Sequence, residues 1–330
     1  MPQPTGHIAG GDGLPAPSQM LLDWFAEQRR DLPWRDTRDP WAVLLSELML
    51  QQTQVSRVRE RFGPLLARLP TPEACARAPV AEVIRAWQGL GYNRRAVNLH
   101  RAANQIVDRH AGVVPGRLEQ LLDLAGVGPY TARAVLAFAF ERDVGVVDTN
   151  AGRVLARAIA GRTLSKPEVQ SLADAQVPAG AGWLWNQAVL DLGATVCTKR
   201  APKCHMCPIQ PWCVWAQSQL AQPNTAIGDP AAGSAGVTTR QSKFEGSDRQ
   251  GRGRLLRAMS QAPVSRGDIA QVAGWPDSPQ RAVRVAEALV AEGLAQYVGE
   301  TMTLPVTSGS FKREAGNDNN GDRQDDAARP

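Results

Sequence analysis

Residues 121–150 read LLDLAGVGPYTARAVLAFAFERDVGVVDTN, from Leu121 to Asn150. The stretch opens on a glycine turn, Gly126-Val127-Gly128-Pro129, continues as a helix-patterned run, and closes on an apolar run that ends at Asp148. Glycine lets backbone N–H groups come forward, and the N-terminus of the helix that follows favours negative charge. The turn therefore reads as a grip for phosphate. Asp148 comes after Val144, Val146 and Val147, which predicts a confined carboxylate. A helix-patterned TNAGRVLARAIAG follows, so Asp148 also fits the N-cap of that helix. A phosphate grip beside a buried carboxylate points to chemistry on nucleic acid.

The rest of the chain bounds that idea. At 330 residues it can bury a large core and hold two or three units. A net charge of +5 suits a polyanionic partner without demanding one. Most of the basic charge is arginine, which forks onto phosphate and base edges, although an arginine-rich genome would leave the same bias. No apolar run approaches the roughly twenty residues of a membrane span, so no membrane partner is expected. Residues 1–16 are rich in Gly, Pro and small residues and lack the basic start and apolar core of an export signal. They read as a disordered arm, nothing directs the protein out of a cytoplasm, and a cytoplasmic location is expected.

Taken in order, PSQMLLDWFAEQRR reads as a helix with Leu21, Leu22, Trp24 and Phe25 on one stripe. Asp39 then resembles an N-cap and Pro40 a first helical residue, with one helix expected on through WAVLLSELMLQQTQVSRVRERF. Glu47 lies in it among Val43, Leu44, Leu48 and Leu50. A carboxyl group in such surroundings has a raised pKa, as a general acid needs, whereas a Glu on the polar margin of an amphipathic helix would not. Helical stretches around PEACARAPVAEVIRAWQ and RRAVNLHRAANQIVDRH flank a second glycine turn, Gly89-Leu90-Gly91-Tyr92. Tyr92 could stack on a base or pack on the core. No alternating strand pattern precedes residue 215, so a mainly α fold is expected there.

Five cysteines occur. Cys75 stands alone and reads as a small core residue. The other four follow the spacing Cys197-x6-Cys204-x2-Cys207-x5-Cys213. In a chain without export signals this favours a metal centre over disulfides. Four thiolates so close suit one iron–sulfur cluster or a tetrahedral zinc, with zinc second because only one CxxC pair is present. His205 reads as a bystander. The loop TKRAPK, pinned at both ends, offers Lys199, Arg200 and Lys203 as phosphate contacts. A structural, DNA-positioning role is expected for the cluster.

Four blocks now stand in one order: SELMLQQTQV (46–55), GLGYNRRAVNLH (89–100), LAGVGPYTA (124–132) with VVDTN (146–150), and the cysteine cluster. This arrangement resembles the helix-hairpin-helix DNA glycosylases related to endonuclease III. Within them it is similar to the adenine DNA glycosylases (MutY), which remove adenine mispaired with 8-oxoguanine. The resemblance covers about residues 17–216. It implies two helical subdomains, one holding a [4Fe–4S] cluster on Cys197, Cys204, Cys207 and Cys213. It implies that Gly126, Val127 and Gly128 hold a backbone phosphate and that Glu47 protonates the departing adenine. Asp148 would steady the sugar cation with Asn150 as its support. Gln51, Gln52 and Tyr92 would enter the base stack, with Trp34 and Arg35 near the adenine. Relatives that also cut the backbone carry a lysine where this chain has Tyr130, so base removal without strand cleavage is implied.

The implied organisation is an arm (1–16), an N-terminal helix joining the cluster subdomain (17–38), a helical barrel with the hairpin (39–150), the cluster subdomain (151–216), a Gln/Ala/Gly/Ser/Thr-rich linker (217–250), a small unit (251–307) and a polar tail (308–330). Three helices and a hairpin in the small unit suggest a winged-helix-like module. The strand-rich pyrophosphohydrolase-like domain that often follows in this family is not evident, which leaves recognition of the opposite base open. The expected partner is duplex DNA with A:8-oxoguanine or A:G mispairs, bound by a monomer. Three rival readings stand: a thymine mismatch glycosylase, an endonuclease III-like lyase, and a non-catalytic iron–sulfur DNA-binding protein.

Overall fold

The computed structural model describes residues 15–221, 228–234 and 243–306. The arm, apart from its last two residues, and the tail from 308 onward lie outside the described residues. Among the described residues no strand precedes Val264, and no helix is long and apolar enough to cross a membrane.

The first body is built around α2 (Pro40–Leu50), which follows α1 (Ala16–Gln28). The Asp39 carboxylate accepts the Trp41 N–H at 3.1 Å and Pro40 sits in the first turn, so the start of α2 is fixed as expected. Trp41 through Met49 are all buried, as befits a helix that is apolar all round. It packs against α3 (Val55–Arg68), α6 (Arg94–His110) and α8 (Pro129–Phe138). The single helix expected over 41–62 is in fact two. The chain turns at Gln51–Gln54, with Gln52 in the left-handed region at φ 55°. The cause is distant in sequence: Arg95 Nη1 takes the Leu48 and Met49 carbonyls at 2.7 Å each, satisfying the end of α2 from outside. The stretch 72–88 likewise splits into α4 (Pro72–Arg77) and α5 (Val80–Ala86), interrupted at Ala78-Pro79.

α7 (Leu118–Leu122), the glycine turn and α8 make the helical hairpin. The run after α8 is extended but pairs with no strand. Its backbone groups are met by side chains instead. Asp174 accepts the Gly145 N–H at 2.8 Å, and Asn186 accepts the Val146 N–H at 2.7 Å while donating to Val144 O at 2.9 Å. That support delivers Asp148 to the start of α9 (Thr149–Val154), which continues as one π-helical segment to Ala160. α10 (Lys166–Gln176) opens on a Ser165/Glu168 capping box. α11 (Gly182–Thr195) packs on α1 and α9, with Phe25 and Trp183 edge to face at 6.3 Å. α12 (Val214–Ala221) closes the cysteine segment.

The region read as a linker, 217–250, is partly structured. α12 runs to Ala221, and the next helix, α13 (Asp248–Gln261), begins before residue 250. Between them Asp229 pairs with Arg157 at 2.6 and 2.8 Å, and Ser234 Oγ accepts the Leu164 N–H at 3.1 Å. Small-residue composition cannot announce such docking, because one carboxylate and one hydroxyl carry it. The C-terminal unit then adds β1 (Val264–Ser265), α14 (Ile269–Ala273), α15 (Pro279–Ala291), β2 (Gln296–Val298) and β3 (Thr301–Thr303). The sheet is antiparallel in the order β1-β3-β2, with Met302 opposite both Val264 and Tyr297. Helix, strand, two helices and a two-stranded ribbon form a winged-helix arrangement. Two-residue β1 was too short to show any alternation in the sequence.

Candidate active site

Glu47 projects from the middle of α2 and is 3% exposed. Burial is the main reason its pKa is pushed up to about 7, and the charge of Asp148 works the same way. The Tyr130 hydroxyl, donated from the first turn of α8, and the Arg35 guanidinium pull it back. Glu47 Oε2 is buried with no hydrogen-bond partner among the described residues. Burial together with the neighbouring carboxyl groups also holds Tyr130 neutral, well above the usual phenol range.

Asp148 is both an N-cap and Glu47's neighbour, so the two sequence readings coexist. Its Oδ1 accepts the Asn150 and Ala151 N–H groups at 2.7 Å each, and its Oδ2 accepts Asn150 Nδ2 at 2.8 Å. Burial raises the Asp148 pKa, while those three donors and Arg153 favour the ionised form. Asn150 is held in turn: Arg153 Nη2 donates to Asn150 Oδ1 at 2.8 Å, and Arg153 Nε donates to Cys197 O at 2.6 Å. A continuous hydrogen-bonded path therefore joins Asp148 to the first cysteine.

Arg35 is pinned by a residue the sequence reading passed over. Asp191 of α11 accepts Arg35 Nη1 and Nη2 at 2.9 and 2.7 Å, and Arg30 Nε and N at 2.6 and 3.0 Å. Arg35 Nε is left buried and without a partner among the described residues. A lone acid in the apolar run WLWNQAVLDLGATVC was the available signal. Trp34, next in sequence to Arg35, is buried edge to face against Phe62 of α3 at 5.9 Å.

Three loops meet on one edge of the molecule. Gln51 Nε2 donates to Gly126 O and to Thr131 Oγ1 at 3.2 Å each, tying the end of α2 to the hairpin. Arg95 Nη2 donates to Thr53 Oγ1, Leu90 O and Gly91 O at 2.8, 3.2 and 2.9 Å, tying the same loop to the Tyr92 turn. Gln52 and Tyr92 are exposed and both sit at positive φ, 55° and 45°. Such strain on non-glycine residues gathers at functional surfaces. Gly126 needs its φ of 79°, whereas a Cβ built on Gly128 would meet nothing, leaving that backbone open to a ligand. Val127 differs from its neighbours: its side chain is buried and its N–H is already donated to Leu124 O at 3.1 Å.

Cys197, Cys204, Cys207 and Cys213 line one cavity together with Arg157, Ile209 and Trp215. None is in a disulfide, and burial pushes the Cys207 thiol up to about 12. No three His, Cys, Asp or Glu side chains among the described residues gather closely enough to hold a single metal ion. Cys75 is separate and fully buried, as expected of a small core residue, and His205 is exposed. Arg157 Nη1 donates to Cys197 Sγ at 3.4 Å and to Thr198 O at 2.8 Å, and Nη2 donates to Lys199 O at 3.2 Å. It thereby braces the loop whose Lys199, Arg200 and Lys203 side chains are exposed. Arg153 and Arg157 were missed, although arginines four apart in RVLAR mark one helical face.

Comparison with known proteins agrees with this geometry. Residues 45–178 match the model of the HhH-GPD superfamily of base excision DNA repair proteins. The adenine DNA glycosylase of Mycobacterium tuberculosis is 43% identical over 282 residues, 83% of this chain and 88% of that protein. That of Mycolicibacterium smegmatis is 40% identical over 301 residues, 89% and 98% of the two chains, a span too long to stop short of the C-terminal unit. A solved thermostable thymine-DNA glycosylase superposes with a TM-score of 0.57 at 29% identity, over 61% of this chain and 95% of its own. At 43% identity over most of both chains, the protein belongs to the adenine DNA glycosylases of the helix-hairpin-helix base excision repair superfamily.

Proposed function

We propose that this glycosylase hydrolyses the N-glycosidic bond of adenine mispaired with 8-oxoguanine or G in duplex DNA and leaves an abasic site. The observation that carries the reading is Glu47: a buried carboxyl group, protonated up to about pH 7, with Oε2 unpaired beside a second carboxyl group. Adenine leaves poorly until a ring nitrogen is protonated, and a neutral acid in a dry site supplies that proton. Arg35 Nε, also unpaired, is the second group available to a base held there. The bond breaks, positive charge builds on the sugar, and the Asp148 carboxylate, whose ionised form its three donors favour, stabilises it. Water completes the hydrolysis.

A base inside a duplex has to be turned out first, at a cost of a few kcal/mol. Gln51, Gln52 and Tyr92, on the edge that Arg95 assembles, fill the gap. Gly126, Gly128 and the first turn of α8 take the phosphate, since Val127 has its N–H engaged. Tyr130 has no amine to form a Schiff base, and its hydroxyl is committed to Glu47, which supports base release without strand cleavage. The four thiols line one cavity, and with a single CxxC pair among them they suit a [4Fe–4S] cluster better than zinc. Bound there, the cluster would fix the loop that presents Lys199, Arg200 and Lys203.

The test uses duplexes carrying A opposite 8-oxoguanine, A opposite G, T opposite G, or thymine glycol, each with and without alkali. A nick only with adenine and only after alkali is expected, and Asp148→Asn should bind the mispair without releasing base. Thymine release, a nick without alkali, or full turnover by Asp148→Asn would overturn the reading. Broad visible absorbance distinguishes the iron–sulfur cluster from colourless zinc.

A further inference from the structure

The edge that carries Gln52, Tyr92 and the hairpin does not stop at Tyr92. Arg249, in the first turn of α13, donates Nη1 to the Tyr92 hydroxyl at 3.1 Å, and Phe244 lies across Arg249 at 6.0 Å while remaining 59% exposed. Asp248, one residue earlier, accepts from Arg281 Nε at 2.8 Å and lies 3.9 Å from Arg284 Nη2. Arg281 and Arg284 stand on the first turns of α15, which is the second helix of the helix-turn-helix formed with α14. In helix-turn-helix proteins the N-terminal residues of that second helix face the DNA. Here those residues, the start of α13 and Tyr92 are tied into one corner by side-chain bonds. The outward face of α15 also leaves Val283 43% exposed and the Arg284 side chain 68% exposed.

We propose that the C-terminal unit is a second duplex-DNA contact, in which Arg249, Arg281 and Arg284 hold the sugar-phosphate backbone next to Tyr92 and Phe244 rests against the sugars or bases. The partner is DNA because the corner continues the edge on which the hairpin and the Gln52 and Tyr92 turns lie. Arginines interleaved with exposed aromatic rings are the chemistry that nucleic acid requires. Asp248 holds Arg281 in place in advance, so less side-chain freedom is lost on binding. The unit thereby extends the grip to duplex beyond the extruded base. The inference rests on the reading that the Tyr92 edge faces DNA.

Binding of the full-length, cluster-loaded protein is measured by fluorescence anisotropy at several salt concentrations. The probe is a duplex with a tetrahydrofuran abasic site opposite G. Removing one arginine from a phosphate lowers the salt slope by about 0.9. Arg281→Ala with Arg284→Ala should weaken binding roughly tenfold and reduce the slope by nearly two, an expectation built on that constant. Arg284→Glu alone should act in the same direction, and it sits on the surface where folding is not at stake. Arg68→Ala, at the far end of α3 some 20 Å from Gln52 by helix rise, is the control. Unchanged affinity and slope in the double variant and in Arg284→Glu would overturn the proposal. Tyr92→Ala and Gly128→Asp test the underlying reading separately. If they bind normally while the α15 variants do not, the unit binds DNA but the Tyr92 edge does not. If only they are impaired, the edge stands and the unit has no part in binding.

Discussion

Replacing Glu47 by Gln should abolish adenine release and, in the same molecule, stabilise the fold at alkaline pH. Glu47 has a folded-state pKa of about 7 against an ordinary 4.5, and it is buried enough that solvent screening needs no discount. Below pH 4.5 the group is neutral both folded and unfolded, and folding loses nothing to it. As pH rises from 4.5 through about 7 the unfolded chain ionises first, while the folded chain must keep the proton or bury a charge. Stability supplied by the neutral group is therefore lost across that window. Each pKa unit corresponds to about 1.4 kcal/mol, so the penalty is about 1 kcal/mol near pH 5.5 and about 3 kcal/mol near pH 8.5. Gln is neutral throughout and its carbonyl oxygen can still accept the Tyr130 hydroxyl. The gap in unfolding free energy between Glu47→Gln and the parent should thus widen by about 2 kcal/mol between those two pH values. Urea unfolding followed by circular dichroism at both pH values reads the gap, and single-turnover adenine release reads the activity. A packing defect from the substitution would shift both pH values equally. A gap that does not change with pH would therefore refute the account of Glu47 as a buried acid.

The surrounding residues make further predictions. Tyr130→Phe removes the hydrogen bond that lowers the Glu47 pKa, so the alkaline limb of the pH–rate profile should move upward; a downward shift would contradict the arrangement. At Gly193 a Cβ would come within 2.7 Å of Asn150 Cβ and 2.8 Å of its backbone O, so Gly193→Ala must displace the residue that steadies Asp148. It should slow single-turnover release by about tenfold or more and destabilise by about 1–3 kcal/mol, with visible absorbance intact. Asp191→Asn leaves Arg35 and Arg30 facing a neutral amide and should cost about 3 kcal/mol or more in a denaturant melt.

Much of the site was legible because its elements are local. The hairpin is a glycine turn before a helix, α2 carries its own Asp39-Pro40 start, and the cysteines fall within one segment. Each is written in neighbouring residues: the hairpin and the start of α2 form where the pattern placed them, and the four cysteines line one cavity. What could not be read depends on contacts between distant segments. Nothing within 41–62 says that the helix stops at Gln51, because the groups that end it belong to Arg95. Nothing in the small-residue stretch after α12 says that it docks, because its anchor is Arg157. Asp148 looked like a choice between an N-cap and a catalytic carboxylate. It is an N-cap buried beside Glu47, and the cap's donors favour the ionised form that the proposed catalytic role needs.

The arginine bias gains a second meaning from the same contacts. Read as composition, it suited phosphate binding or a genomic habit. In the fold, Arg35, Arg95, Arg153 and Arg157 are each 6% exposed or less, too deep to meet a phosphate. Each spends its donors on carbonyls, carboxylates or a sulfur near a candidate functional loop: Arg95 on the ends of the Gln52 and Tyr92 turns, Arg153 on Asn150 and Cys197, Arg157 on the loop after Cys197, Arg35 on Asp191. Lysine, with three donors on a single nitrogen, could not hold several carbonyls in one plane as these do. The site is irregular backbone between helices, and irregular backbone has no ladder to satisfy it. A planar five-donor cation is the one side chain that can close several such gaps at once. Part of the positive charge that looked like DNA affinity is thus internal bracing, and the charge left to meet phosphate on the proposed reading is that of exposed residues such as Lys199, Arg200, Lys203 and Arg284.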